Sequence, residues 1–342
     1  MTQKEIARQC GVSVATVSRV IRNKDHKCAS QQTKDKIWEL VRQSGYVPNE
    51  AAQRLKQPAA PRVQLPSRTV SFLHAKIPTD FADRIFSAIA RAAEEAAVSE
   101  SFRLGYNFSA LDHTPEQTQE FLLTHRSDGL VVFGRLDERL YSALRKSAKN
   151  VIVVGLSDFR PPFDQVFADG YVAAKKALGY LYGLGHRAIG YIGDTGTEVR
   201  YAAYTDFMKE KGLPVPPSYI RRCSMSMQKG FEQVSRLLRE ADPLPTALFC
   251  DKDITAIGAM KGIREQHLCV PDDISVISVD DMEASQFILP PLTSVCIPKQ
   301  ELGRLAVKIL SDRMNRGHTL PMRTELPCDL IIRESCAAPR RE

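Results

Sequence analysis

The chain has 342 residues, of which 43% are hydrophobic and 25% charged. That is too long for one hydrophobic core and has the balance of a globular protein rather than a disordered one. No apolar run reaches the roughly 20 residues a membrane helix needs, and the polar start Met1-Thr2-Gln3-Lys4-Glu5 holds no secretory h-region, so a cytoplasmic location is expected. Residues 1–68 hold 13 Lys+Arg against 5 Asp+Glu, while the remainder holds 34 against 35, so the whole +7 excess lies in the first fifth. A basic module on a neutral body is the electrostatic footprint of a nucleic-acid reader. Eight cysteines, at 10, 28, 223, 250, 269, 296, 328 and 336, include no C-x-x-C pair. Neither a zinc site nor a disulfide framework is expected, and no cofactor.

In chain order, Lys4–Cys10 places Ile6, Ala7 and Cys10 on one helical face. Gly11 then supplies the left-handed turn. Ser13 stands where an N-cap belongs, ahead of a second helix over Val14–Ile21. Val17, Val20 and Ile21 turn toward the first helix and leave Val14, Ala15, Ser18 and Arg19 outside. Two short helices joined through one glycine read as a helix-turn-helix, whose second helix enters the major groove. A third helix, Thr33–Ser44, carries Ile37, Trp38, Leu40 and Val41 and stops at Gly45.

Ile6-Ala7-Arg8-Gln9-Cys10-Gly11-Val12-Ser13-Val14-Ala15-Thr16-Val17-Ser18-Arg19-Val20-Ile21 resembles the signature of the lactose/galactose repressor family. So does Gly45-Tyr46-Val47-Pro48-Asn49-Glu50-Ala51-Ala52-Gln53-Arg54-Leu55, the segment that closes the headpiece in that family. The resemblance implies that Val14 and Ala15 touch thymine methyls and that Arg19 forks onto a guanine edge, with Ser18 on the same outer face. Thr2, Ser13, Thr16, Ser30 and Thr33 would hold phosphates, fixing register without reading sequence. The family usually has Asn directly after its Val-Ile pair, whereas here Arg22 precedes Asn23, and the loop Lys24–Ala29 looks extended. Either Arg22 or Asn23 then makes the backbone contact there. Asn49–Leu55 resembles the family's hinge helix, too short to stand alone in water, where roughly 12–15 residues are needed. It would fold with DNA and a partner copy, with Ala52 beside Leu55 as the wedge in the minor groove.

Gln57–Arg68, with Pro58, Pro61 and Pro66, reads as an extended connector. From Thr69 the chain alternates apolar strands with amphipathic helices. The expected strands are Val70–Leu73, Gly129–Phe133, Val151–Gly155, Ala188–Gly193, Ala247–Cys250, Ile274–Val279, Ser294–Ile297 and Asp329–Arg333. The expected helices are Phe81–Ala97, Tyr171–Leu184, Arg200–Lys211, Lys229–Arg239, Asp253–Glu265 and Gln300–Met314. Such alternation means parallel sheets covered by helices, in two halves with a ligand cleft at the carboxyl ends of the strands.

The family resemblance extends through Gly185-His186-Arg187-Ala188-Ile189, Asp253-Ile254-Thr255-Ala256-Ile257-Gly258-Ala259, Val270–Asp281, Pro290–Val295 and Leu330–Cys336. It implies the two-lobed fold of periplasmic sugar-binding proteins (type I), with three crossovers. The implied division is a headpiece with hinge at 1–56, a linker at 57–68, an effector domain at 69–336 and a tail at 337–342. Within the effector domain one lobe would take about 69–165 and 298–326, the other about 166–297 and 327–336. Arg200, Asp280 and Phe81 match effector contacts of the family; Arg135 and Lys252 are further candidates. Lys252 stands where the lactose-type member has a pocket asparagine, and Gly155 where it has an aspartate. A lysine there would suit an acidic sugar.

Two rival readings fail on the sequence. Gly183-Leu184-Gly185-His186-Arg187-Ala188 fits a loose dinucleotide pattern but follows a helix and precedes a strand, the reverse of the fingerprint. Asp251, Asp253, Asp280 and Asp281 could be imagined as a catalytic or metal site, but polar strand ends in a sugar cleft explain them more simply. A transport-type binding protein would need export and would not carry a basic helix-turn-helix. The expected function is a non-enzymatic transcription regulator, a repressor acting on palindromic operator DNA under control of a sugar or sugar-derived effector. With no leucine-heptad tail after Cys336, a homodimer is expected.

Overall fold

The computed structural model describes residues 2–22, 28–44, 68–75, 82–135, 137–196, 198–224 and 226–340. Two compact units divide the chain, Met1–Leu65 and Pro66–Glu342.

The first unit holds helices α1 (Gln3–Cys10), α2 (Val14–Arg22) and α3 (Gln31–Ser44). Thr2 and Glu5 form a reciprocal capping box at the start of α1, and Gly11 closes the helix at φ 63°. Ser13 Oγ accepts the Thr16 N–H at 3.1 Å and so caps α2. Ser30 does the same for α3 through Thr33, which starts that helix two residues earlier than the apolar pattern suggests. Ile6, Ala7, Val17, Val20 and Ile37 are the buried centre, with Trp38, Leu40 and Val41 packed around it.

In the second unit, one sheet contains β1 (Thr69–His74), β2 (Arg103–Ser109), β3 (Ser127–Phe133), β4 (Ala148–Gly155), β5 (Asp164–Phe167) and β11 (Arg323–Glu325), in the order β11-β5-β4-β3-β1-β2. The other contains β6 (Ile189–Gly193), β7 (Ile220–Arg222), β8 (Ala247–Cys250), β9 (Ser275–Asp280), β10 (Thr293–Cys296) and β12 (Asp329–Ile331), in the order β12-β10-β9-β8-β6-β7. β5 spans the expected lobe junction at 165/166, and the chain leaves the first sheet after Phe167.

All neighbours pair parallel except β10 and β12. The exception has a simple cause. A parallel neighbour needs a crossover connection, whereas β12 follows β11 of the other sheet after only Leu326–Cys328. All three crossings between the lobes leave a strand at its carboxyl end, after Phe167, Cys296 and Glu325. The carboxyl ends of both sheets therefore meet at the junction.

The helices are α4 (Ala82–Ser99), α5 (Pro115–Thr124), α6 (Tyr141–Ser147), α7 (Gly170–Gly183), α8 (Val199–Glu210), α9 (Met227–Glu240), α10 (Asp253–Glu265) and α11 (Lys299–Met314). Glycines let two of these pairs approach closely. A Cβ at Gly303 would lie 2.3 Å from the Ile89 carbonyl oxygen, between α11 and α4, and one at Gly258 only 1.9 Å from that of Met227, between α10 and α9.

Candidate nucleic-acid interface and ligand site

The start of α2 leaves Val14 40% exposed, with Ala15 and Arg19 exposed and Ser18 half-buried. Ser18 lies four residues after Val14 and Arg19 four after Ala15, so the four share one face. Val17 and Val20, fully buried, hold the opposite face against α1 and α3. Around this face hydroxyls come in pairs, Ser13 with Thr16 at 2.9 Å and Ser30 with Thr33 at 2.8 Å, each at a helix N-terminus. Thr2 is exposed at the start of α1. Such termini present unsatisfied N–H groups and a positive dipole end, a favourable place for phosphate. Asn23, Asn49, Ala52 and Leu55 lie outside the described residues, as does Phe81 of the body.

In the body, a cleft of about 280 Å³ opens between the lobes. Ile85 and Ala88 line it from α4 of the first lobe; Lys252, Ile254, Asp280, Asp281, Met282 and Glu283 line it from the second, with Lys299 at the crossover. Asp280 ends β9, and Lys252 stands between β8 and α10, so both lie at carboxyl ends of strands, where such folds bind ligands. Asp280 and Asp281 have φ of 124° and 48°, a strained pair of non-glycine residues. The Lys299 ammonium ties both their carbonyls to α11, and Arg333 pairs with the Asp281 carboxylate at 2.6 Å.

Arg200, 2% exposed, sits behind the cleft rather than on its wall. Its guanidinium donates to Asp280 Oδ1 at 2.9 Å and to the Asp251 carbonyl at 2.6 Å. Glu198 also pairs with it but is further away, 3.8 Å from Nε, so Asp280 is the closer of its two ion-pair partners. Burial alone would depress the guanidinium, but Asp280, Glu198 and Asp251 together raise it, so Arg200 stays charged. Nε is buried and hydrogen-bonded to no described residue. Burial also raises the Asp280 carboxyl, against the pull of Arg200, Lys252 and Lys299. Two residues read from the sequence as separate ligand contacts thus hold each other.

The neighbouring carboxylates are structural. Asp253 accepts from the hydroxyls of Ser278, Ser285 and Ser294 and from the Met282 N–H, each at 2.6 Å, which ties α10 to β9 and β10. Asp251 accepts from Thr255 and from the Asp194 N–H. Burial pushes both carboxyls up to about 6. His186, the residue at the centre of the loose dinucleotide pattern, bonds Thr246 Oγ1 at 2.9 Å and the Ala337 carbonyl at 2.8 Å, and burial lowers its basicity. It fastens the C-terminal segment.

Arg135 is not gathered into the cleft. It is exposed, with its guanidinium 5.9 Å from the Phe159 ring centroid. The same ring crowds Gly155: a Cβ there would lie 2.6 Å from Phe159, so an aspartate would need that ring to shift. Lys299, Glu283, Ile85 and Ala88 were missed by sequence reasoning. Lys299 alone carried a signal, as a cation just past the end of strand β10. No group of three or more His, Cys, Asp and Glu among the described residues has metal-holding geometry. Nor does any described helix have the length and apolarity to cross a membrane.

Comparison with known proteins decides the family. Residues 2–49 match the bacterial regulatory proteins, lacI family, and residues 178–336 the periplasmic binding protein-like domain. The HTH-type transcriptional repressor CytR of Escherichia coli (strain K12) is 32% identical over 98% of this chain and 96% of its own length. The chain belongs to the lacI family. The HTH-type transcriptional repressor PurR of Haemophilus influenzae (strain ATCC 51907 / DSM 11121 / KW20 / Rd) is likewise 32% identical, over 98% of each chain. These relatives of the lacI family are repressors, not enzymes. Among solved structures, the Lac repressor dimer bound to operator and the anti-inducer ONPF aligns at TM-score 0.69, 25% identity and 99% coverage of both chains. The transcriptional regulator CelR–cellobiose complex, at TM-score 0.67 and 23% identity over 98% of this chain and 99% of its own, shares the fold. The helix-turn-helix unit and the two-sheet body are those of a lacI-family transcription regulator.

Proposed function

We propose that this lacI-family regulator is a homodimeric repressor of the bacterial cytoplasm whose hold on a palindromic operator is controlled by a polyhydroxylated small molecule, a sugar or sugar derivative. The observation that carries the reading is the interlobe cleft with Asp280 on its wall, backed by the buried Arg200. A ligand bridging Ile85 and Ala88 on one lobe and Lys252 and Asp280 on the other has a different affinity for open and closed arrangements. That difference is the requirement for allosteric control. Lys252 and Asp280 are the proposed ligand contacts, with Arg200 holding the Asp280 carboxylate; Arg135, over Phe159, is left out of the set.

On DNA, Val14, Ala15 and Arg19 would read base edges from the major groove, with Ser18 on the same face, and Thr2, Ser13, Thr16, Ser30 and Thr33 would lie at the backbone. The hinge contacts Asn49, Ala52 and Leu55, and Asn23 of the loop, rest on the family resemblance. The test is operator binding by the purified protein with a panel of sugars, sugar acids and nucleosides added. A compound that shifts operator affinity at least tenfold in the wild type but not in Asp280→Asn is expected; absence of tight binding to any palindromic duplex at low salt overturns the reading. Within the cleft, Asp280 and Asp281 are neutralised by Arg200 and Arg333, which leaves Lys252, Glu283 and Lys299 as the other charged residues of its lining. That balance favours a sugar acid or phosphate as the second reading, and the same panel separates the two.

A further inference from the structure

The ligand cleft lies at the carboxyl ends of the strands; a second cleft, of about 320 Å³, lies at the opposite, amino ends of the strands of the first sheet. Thr69, Ser127 and Ala148, the first residues of β1, β3 and β4, line it together with Arg126, Asp128, Arg145, Lys146 and Lys149. Four cations thus surround one carboxylate. That carboxylate is already occupied, since Asp128 Oδ2 accepts the Thr69 N–H at 2.9 Å, and Ser127 bonds the Thr69 carbonyl at 2.8 Å. Arg145 lies 5.8 Å from the Phe163 ring centroid. Arg126, Lys146 and Lys149 are exposed and have no ion pair with a described residue. Arg145 and Lys146 both lie in the last turn of α6 and complement its C-terminal dipole, which accounts for two of the four charges and not for Arg126 and Lys149.

The body as a whole carries a balance of −1 over residues 69–342, so this concentration of positive charge is local. It is also placed where the linker ends: Thr69 on its wall is joined through Arg68 to the chain leading back to the headpiece. From Leu55, at the end of the proposed hinge, to Thr69 is 14 residues, which reach at most roughly 50 Å when extended.

We propose that this basic cleft is a second, sequence-independent DNA contact, which takes the phosphate backbone flanking the operator. The proposal rests on the reading of the headpiece as an operator binder. Exposed arginine and lysine side chains would neutralise phosphates and release counterions, adding affinity and salt dependence without changing sequence preference.

The experiment measures affinity of the full chain for two duplexes, one ending at the operator and one extended by about one helical turn, roughly ten base pairs, at each end. Both are titrated over a range of salt. The wild type is expected to bind the extended duplex more tightly and with a steeper salt slope. The triple variant Arg126→Ala/Lys146→Ala/Lys149→Ala should bind the short duplex as the wild type does, yet lose the gain, with its slope on the extended duplex shallower by about 0.9 for each phosphate contact removed. Equal wild-type affinity and slope on the two duplexes overturns the proposal whatever the variant does. A gain that survives in the variant overturns it as well, as does binding of inorganic phosphate that competes with neither duplex. Failure of the wild type to bind the short operator duplex would instead count against the headpiece reading.

Discussion

Replacing Asp280 by Asn removes the negative partner of a guanidinium that water does not reach. The side chains of Arg200 and Asp280 are 2% and 3% exposed, and their atoms are 2.9 Å apart. Deleting one member of such a pair typically costs about 3–5 kcal/mol, because the other charge is left buried and uncompensated. Here the loss falls at the lower end: Arg200 keeps its bond to the Asp251 carbonyl and the Glu198 carboxylate 3.8 Å from Nε. The expected destabilisation of the body is about 3 kcal/mol, which lowers Tm by roughly 5 °C for a unit the size of Pro66–Glu342. Urea and thermal unfolding followed by circular dichroism read it directly. Arg200→Met/Asp280→Leu, which removes both charges, should lie closer to wild type than Asp280→Asn does. A change below about 1 kcal/mol in Asp280→Asn would show that Glu198 and Asp251 suffice, and the pair would lose its role as the anchor behind the cleft.

Other expectations concern the caps, the close helix pairs and pH. Ser13→Ala removes the hydroxyl that caps α2 and should cost the headpiece about 1 kcal/mol, read as a lower headpiece melting midpoint and weaker operator binding. Gly258→Ala places a Cβ against the Met227 backbone and should destabilise the body by about 3 kcal/mol in urea unfolding, the upper end for overpacking. Gly179→Ala, on the exposed side of α7 with nothing within 4 Å, should instead stabilise it by about 0.5–1 kcal/mol. His318 hydrogen-bonds Asp312 at 2.6 Å and Asp164 at 3.1 Å, and these carboxylates raise its pKa above 6.5. Because the folded state favours the protonated ring, its stabilisation is complete below the ordinary value and is lost as pH rises through the raised one. Tm should therefore fall more between pH 6 and pH 8 in the wild type than in His318→Gln; equal falls would remove His318 from the account.

What the sequence made legible follows from burial. β8 is buried along its whole length and appears as an unbroken apolar run, β9 is equally buried around Val276, Ile277 and Val279, and the bounds of α10 match the sequence reading to the residue. β2, β7 and β11 escaped because a strand with a free or short edge need not be apolar: Arg103–Ser109 is mostly exposed, and the other two have three residues each. β5 is fully buried but begins Asp164-Gln165, and its polar start is explained by Arg313, which reaches it from α11. The site was half legible. The family resemblance marked Lys252, Asp280 and Arg200, but nothing local to Arg200 shows that its partner lies 80 residues on. Asp253 had the same local signature as Asp280 and proved to be a four-way structural tie.

Helix α11 gives the ligand cleft a physical route to the linker. At its start the Lys299 ammonium holds the carbonyls of Asp280 and Asp281 on the cleft wall. Just past its end, Asn315 Oδ1 accepts from Arg68 Nη1 at 2.7 Å, one residue before β1. The 16 residues between span about 24 Å as a rigid rod, pinned along their length by the contact of Gly303 with Ile89. A ligand that moves the second lobe must displace Lys299 or strain its two bonds, and α11 carries that strain to the base of the linker. Asn315→Ala cuts the last bond while leaving both binding surfaces intact. Operator affinity without ligand and ligand affinity without DNA should each stay within about twofold of wild type, a few tenths of a kcal/mol. The ratio of operator affinities with and without ligand should shrink, a lost coupling of about 0.5–2 kcal/mol. An unchanged ratio would mean that coupling bypasses Arg68, through the first sheet or the partner copy, and that α11 only supports the cleft.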